Sequence, residues 1–302
     1  MANWSEADIP DQSGRTVLIT GANSGLGLRS AKVLAGMGAR VLLACRNPER
    51  GRAAAVQAGS RAEFVELDLS DLASVRKAAA EVRERTDDRL DILMNNAGVM
   101  GTPFTRTTDG FELQFGVNHL GHAALTWLLM PALHGARVIT VSSQAARSPG
   151  LNLDDPNFER RRYSMAVAYA QSKLANLIWM VELDRRARAA GRALISAGGH
   201  PGMTDTSLVG NSMRSWHNKT VESIMVWGSH LVCQSVEVGA LPQLYAATAP
   251  DVRGGDYFAP KWVMQMFGPP VRVLPRAAAR NEELGRRLWE VTAELTGVTP
   301  DF

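Results

Sequence analysis

Short apolar runs recur along the first two hundred residues, and each is followed by a longer stretch with apolar positions at helical spacing. The runs are TVLIT (16–20), RVLLAC (40–45), AEFVELD (62–68), LDILMN (90–95), ARVITVSS (136–143) and ALISAGG (193–199). Runs that stay apolar at consecutive positions fit parallel strands covered by helices on both faces. Between them lie Ala- and Leu-rich stretches such as GLGLRSAKVLAGMGA and DLASVRKAAAEVRERT, the second with Asp71 placed to cap its first turn. This alternation predicts an α/β fold built on a doubly wound parallel sheet with helices on both faces. No repeat or linker breaks the pattern before about residue 200, so the chain reads as a single domain over 1–302. Two parts depart from it: an inserted lobe at about 146–165, and a looser lobe at about 203–235 that mixes polar residues with Met and Trp. A last strand, GDYFA (255–259), and a helix over NEELGRRLWEVTAELTG close the chain.

Composition narrows the function. The 302 residues are 45% hydrophobic and 21% charged, ordinary for a globular protein with a large core. The net charge is +3, and the basic residues, mostly Arg, are scattered without interleaved aromatics, which argues against nucleic acid as a partner. Cys45 and Cys233 form no disulfide framework, and none of the six His pairs with Cys or Asp at metal-ligand spacing, so no metal is expected. The N-terminus MANWSEADIPDQSG lacks an apolar leader core, and no run of about 18 apolar residues exists. A cytoplasmic chain with no membrane span is the expectation.

The chemistry gathers at strand ends. TVLITGANSGLG places Gly21, Gly25 and Gly27 after the first strand and at the start of a helix. Glycines there permit a tight turn and a close ligand, while the helix N-terminus offers free N–H groups to a pyrophosphate. The second strand ends LLACRNPER, where an acid would suit the ribose hydroxyls of NAD and an arginine the 2′-phosphate of NADP. Arg46 stands there, so NADP(H) is favoured over NAD(H). Asp68, ending the third run, either accepts from an adenine amine or simply starts a loop. NNAGVM ends the fourth strand, and its small Ala97 and Gly98 leave room for a ribose, while Asn95 and Asn96 can tie neighbouring strands together.

YAQSK sets Tyr169 and Lys173 at i and i+4, one turn apart on one helix face. A tyrosine working as acid or base near neutrality needs its pKa of about 10 lowered by roughly 3 units, about 4 kcal/mol. One positive charge at about 4 Å, with an effective dielectric near 20, supplies on the order of 4 kcal/mol. Ser143 ends the neighbouring strand, and Asn118 in FGVNHLGH is a polar residue on the intervening helix. His119 and His122 read as structural helix residues and Tyr163 as lobe packing. Met213, Trp216, Met225 and Trp227 either line an apolar pocket or form core or a dimer interface.

With these motifs in order (TGANSGLG, NNAG, VNHLG, VSS, YAQSK, HPG), the chain resembles the short-chain dehydrogenase/reductases over nearly its whole length. LLACRN, NNAGVM, GVNHLGH and SKLANL make it most similar to the retinol-dehydrogenase-like group, which includes WW-domain oxidoreductases and protochlorophyllide reductases. The resemblance implies a Rossmann fold and an NADP(H)-dependent oxidoreductase that interconverts a carbonyl and an alcohol. MRSW and IMVW in the lobe after 202, with the inserted lobe before Tyr169, point to a hydrophobic substrate, and a homo-oligomer is left open. The resemblance also implies Tyr169 as general acid or base, Lys173 as the residue that holds the ribose and lowers the tyrosine pKa, and Ser143 as the group that orients the carbonyl. Asn118 would position a water that relays protons to Lys173. The implied cofactor set is Gly21, Asn23, Ser24, Gly25, Leu26, Gly27, Arg46, Asp68, Leu69, Asn95, Ala97, Gly98, Tyr169, Lys173, Pro201, Gly202, Thr204 and Thr206. The segment between Ser143 and Tyr169 is longer than is typical of the family, and the lobe after 202 matches no motif, so substrate identity does not carry over. Epimerase or dehydratase chemistry on the same fold, and a non-enzymatic nucleotide sensor or scaffold, are the rival readings.

Overall fold

The computed structural model describes residues 3–147, 150–204 and 233–299. Its centre is one eight-stranded sheet: β1 (Thr16–Thr20), β2 (Arg40–Cys45), β3 (Ala62–Glu66), β4 (Ile92–Asn95), β5 (Arg137–Val141), β6 (Ile195–Gly199), β7 (Tyr257–Trp262) and β8 (Phe267–Val273). The spatial order is β3-β2-β1-β4-β5-β6-β7-β8. Every pair is parallel except β7 and β8, which are antiparallel. The order reverses between β1 and β4, so the carboxyl ends of those strands flank a crevice of the kind in which open α/β sheets bind ligands.

The consecutive apolar residues follow from two cores, one on each side of the sheet. Leu18, Leu42, Leu93 and Val138 face one; Val17, Ile19, Leu43, Met94 and Ile139 face the other. Helices α1 (Gly25–Gly36), α2 (Pro48–Ala58) and α7 (Val236–Thr248) cover the second face. The first face carries α3 (Leu72–Thr86), the single turn α4 (Leu113–Phe115), α5 (Gly121–Leu128), α6 (Met165–Ala189) and α8 (Glu282–Thr296). Asp71 caps α3 as its position predicts, its carboxylate accepting from Ala73 N at 2.9 Å. A π-helical turn, Gly116–Leu120, joins α4 to α5. Helix α8 is stitched to α5 and α6 by Trp289, which lies 4.8 Å from Trp127 and stacks on Trp179 at 6.4 Å, with the Arg186 guanidinium over its ring at 4.5 Å.

Strand β8 departs from the sequence reading. Its run FGPPVRV holds Pro269 and Pro270, which remove ladder donors and hide the strand from propensity. The strand forms because it is outermost and pairs on one side alone, Pro270 standing opposite Pro260.

Candidate functional site

The glycine loop joins β1 to α1 in a tight fold. Gly21 has φ +66°, and a Cβ there would lie 2.9 Å from Ala97; Gly25 has φ +52°. A Cβ on Gly27 would meet the Asn96 amide and the Gly21 carbonyl, each at 2.6 Å. This is a backbone cradle that no side chain can enter, and it opens at the N-terminus of α1, beside Asn23, Ser24 and Leu26. The NNAG segment presses against it. The Asn96 amide donates to the Thr20 carbonyl at 2.8 Å, tying β4 to β1, while the Asn95 amide donates to Thr126 Oγ1 on α5 at 3.0 Å. Asn96 thus ties strand to strand, whereas Asn95 ties its strand to a helix.

Arg46 is exposed at the end of β2, its Nε 3.9 Å from Asp68 Oδ2. The other Asp68 oxygen accepts from the amide and hydroxyl of Ser70, at 2.9 and 2.6 Å, in a loop-starting turn. Asp68 therefore does the loop work its type predicts and keeps one oxygen toward Arg46. Leu69, next in the chain, is buried against the would-be Cβ of Gly121.

Asn118, Ser143, Tyr169 and Lys173 come together near the carboxyl ends of β4 and β5. Asn118 is fully buried in the π-turn. Its Oδ1 accepts from Val99 N at 2.8 Å, and its Nδ2 donates to Val99 O and Ser172 Oγ, both at 2.9 Å. Ser143 hydrogen-bonds Tyr169. Lys173 Nζ donates to the Val141 carbonyl at 3.1 Å and sits 5.9 Å from the centre of the Tyr169 ring. A Cβ on Gly98 would lie 3.3 Å from Asn118 Oδ1 and 3.4 Å from Lys173 Nζ, so this glycine lets the segment lie over both. Burial pulls the Lys173 pKa down to about 8. Burial also raises the Tyr169 phenol above its ordinary 10, and the Ser143 hydrogen bond offsets part of that rise. The Lys173 ammonium is turned to a backbone carbonyl rather than to the phenol. At about 6 Å a full charge would be worth roughly 3 kcal/mol.

The turn after β6 borders the same edge. Gly202 has φ +68°, and its missing Cβ leaves space for the Met266 carbonyl. Thr204 Oγ1 donates to Pro201 O at 2.8 Å, Gln234 Nε2 to the same oxygen at 2.6 Å, and Met203 N to Met266 O at 3.0 Å. Gln144 Nε2, next to Ser143, donates to the Met264 carbonyl, so the β7–β8 turn lies against both segments. Thr206, Met213, Trp216, Met225 and Trp227 lie outside the described residues. The segment before α6 packs on the loop after β4: Tyr163 donates to Thr102 O at 2.9 Å, and Asn157 Oδ1 accepts from Glu112 N. Burial raises Glu112 and pushes Tyr163 up to about 12. Sequence reasoning missed Thr20 and Ser172, polar residues that stand inside quoted motifs without being assigned work.

A doubly wound sheet with a glycine cradle after β1 and a Ser–Tyr–Lys cluster at its carboxyl edge defines a dinucleotide-fold oxidoreductase. The chain belongs to the short-chain dehydrogenase family, whose model matches residues 15–216. It is 38% identical to human retinol dehydrogenase 13 over 308 residues, 97% of this chain and 87% of the relative. Mouse polyprenol dehydrogenase is likewise 38% identical, over 96% of this chain and 86% of the relative. Among solved structures, an uncharacterized protein from Mycobacterium Paratuberculosis superposes with a TM-score of 0.83 at 39% identity, covering 99% of this chain and all of that one. A short-chain dehydrogenase from Burkholderia cenocepacia in complex with NADP superposes at 0.62 with 26% identity, over 82% of this chain and 96% of that one.

Proposed function

We propose that the chain is an NADP(H)-dependent oxidoreductase that interconverts an apolar carbonyl compound and its alcohol. The observation that carries this reading is the meeting of Ser143, Tyr169 and Lys173 beside the Gly98 segment. The glycine cradle fits a dinucleotide, because it offers backbone N–H groups where any Cβ would clash. Gly21, Gly25, Gly27, Ala97 and Gly98 would hold it, and the exposed Arg46 would take the 2′-phosphate. The nicotinamide, when bound, supplies or accepts the hydride at the substrate carbon. Ser143 donates to the carbonyl oxygen and fixes its place. Tyr169, raised by burial, is protonated at neutral pH, so it holds the proton that a nascent alkoxide needs in the reducing direction. In the oxidising direction it must give that proton up first, which the raised pKa opposes.

An apolar substrate is supported from two sides. Relatives bear the names retinol and polyprenol dehydrogenase. The β7–β8 turn beside Gln144 also carries exposed Trp262, Val263 and Met264. NADPH consumption with a panel of aldehydes and ketones tests the reading. Turnover should favour long apolar or aromatic carbonyls, and Tyr169→Phe should lower it by roughly 10² to 10⁴ while NADPH still binds. Turnover confined to small charged or sugar substrates would overturn the substrate class, and near-normal turnover of Tyr169→Phe would remove the tyrosine from the mechanism.

A further inference from the structure

We propose that His122 is a positioning residue that couples the strand end carrying the glycine loop to Asn118; this deepens the reading above and rests on it. His122 is buried on α5, four residues after Asn118. Its Nδ1 lies 3.0 Å from the Asn118 carbonyl, and its Nε2 lies 2.8 Å from Thr20 Oγ1. A carbonyl can only accept, so Nδ1 carries the hydrogen. In a neutral ring Nε2 is then bare and accepts the Thr20 hydroxyl. That leaves Thr20 Oγ1 two lone pairs, and it has two further donors, Asn96 N and Ala97 N, each at 3.0 Å. Each of these donors and acceptors has a partner in this one tautomer. With the other tautomer a bare nitrogen would face a carbonyl oxygen. A charged ring would put a third donor on an oxygen with two lone pairs and turn the hydroxyl to Met94 O at 3.3 Å. Burial and the nearby Lys173 keep the ring neutral, with a pKa near 4.

The ring therefore joins two segments that the proposed reaction uses. On one side Thr20 precedes Gly21 and holds the amides of the NNAG turn. On the other, Asn118 holds Val99 and Ser172, and the Ser172 hydroxyl donates to the Tyr169 carbonyl at 2.8 Å. A phenylalanine would fill the same space without the desolvation cost that two ring nitrogens carry, so the polarity asks for a reason beyond packing. The reason is register: the cofactor cradle and the catalytic helix are set against each other by one rigid ring.

The two ends of the ring can be cut separately. In His122→Asn the side-chain amide occupies the Nδ1 position, so the Asn118 bond is kept and the Thr20 bond is lost. In His122→Gln the amide reaches the Nε2 position, so Thr20 keeps its acceptor and Asn118 loses its donor. Losing one buried hydrogen bond is expected to cost about tenfold, roughly 1.4 kcal/mol. His122→Gln should lose mostly kcat, and His122→Asn should lose mostly NADPH affinity, giving opposite ratios of the two effects. Asn96 N also reaches Met94 O at 3.0 Å, so the reporter is the Ala97 amide: its hydrogen exchange, read without turnover, should speed up in His122→Asn and in Thr20→Val, and stay near wild type in His122→Gln and Thr20→Ser. If both His122 variants lower kcat and NADPH affinity in parallel with melting temperature, or change neither, the ring is ordinary core and the proposal falls. A wild type that reduces no carbonyl would defeat the oxidoreductase reading instead, while exchange and NADPH titration still decide the coupling.

Discussion

At the scale of single residues, Arg46 is the side chain proposed to select between two cofactors. Its weak pairing with Asp68 at 3.9 Å, largely in solvent, costs little to break, because exposed ion pairs are worth about 0–1 kcal/mol. A 2′-phosphate would displace that contact with charge-assisted bonds worth about 1.5–3 kcal/mol each. Arg46→Ala should then weaken NADPH by roughly 10- to 100-fold and leave NADH almost unchanged. Titrating both cofactors checks this: equal weakening of the two, or a wild type that prefers NADH, would remove Arg46 as the selector. Residue identity was legible in the sequence wherever chemistry dictates a type, as with the Tyr169–Lys173 spacing or the glycines after β1. What a side chain spends its hydrogen bonds on was not. Lys173 is turned to Val141, and His122 reaches Thr20 on β1. These outcomes depend on partners dozens of residues away.

At the scale of elements, β1, β2, β4 and β5 were legible because each alternates between two cores and so shows an apolar run. The π-turn at 116–120 was not, since a shift in hydrogen-bond register leaves no mark on composition. Nor was β8, where two prolines contradict the strand that tertiary pairing imposes. Helix α8 was legible as a helix, but its job was not. Trp289 is the bolt that fastens it, packed among Trp127, Trp179 and Arg186. Trp289→Ala should lower stability by about 3–5 kcal/mol, the usual cost of emptying a buried aromatic site. Urea unfolding measures this directly; a loss below about 1 kcal/mol would mean that α8 is held by something else. Through His119, whose ring sits 2.9 Å from Thr292 Oγ1, the same helix also braces the turn that carries Asn118.

At the scale of the molecule, the buried histidines set how the protein meets acid. Burial lowers His119 to about 3 and both His122 and His200 to about 4. The unfolded chain takes up protons at these rings below about pH 6.5, while the native rings stay neutral. Their contribution is therefore fully present above pH 6.5 and is lost as the pH falls toward 4. Each ring can add a slope of up to about 1.4 kcal/mol per pH unit in that window. Lys173 acts at the other end: its folded pKa is lowered to about 8, so the cost of its buried charge is present below that value and fades as the pH rises toward 10.5. Urea midpoints should drop steeply between pH 6.5 and 4.5, and a flat profile there would contradict the burial of the three rings as neutral groups. The placing of the prolines in β8 has a consequence that reaches beyond one molecule. Consecutive residues of a strand aim their N–H groups to opposite sides, so of Pro269 and Pro270 one removes a donor toward β7 and the other removes one from the open margin. A strand from a second copy that came to lie there would find its ladder broken at the middle. The opposite margin, β3, carries the exposed Glu66, whose charge repels its counterpart in another copy. Each margin of the described sheet thus carries something that opposes a strand added from another copy.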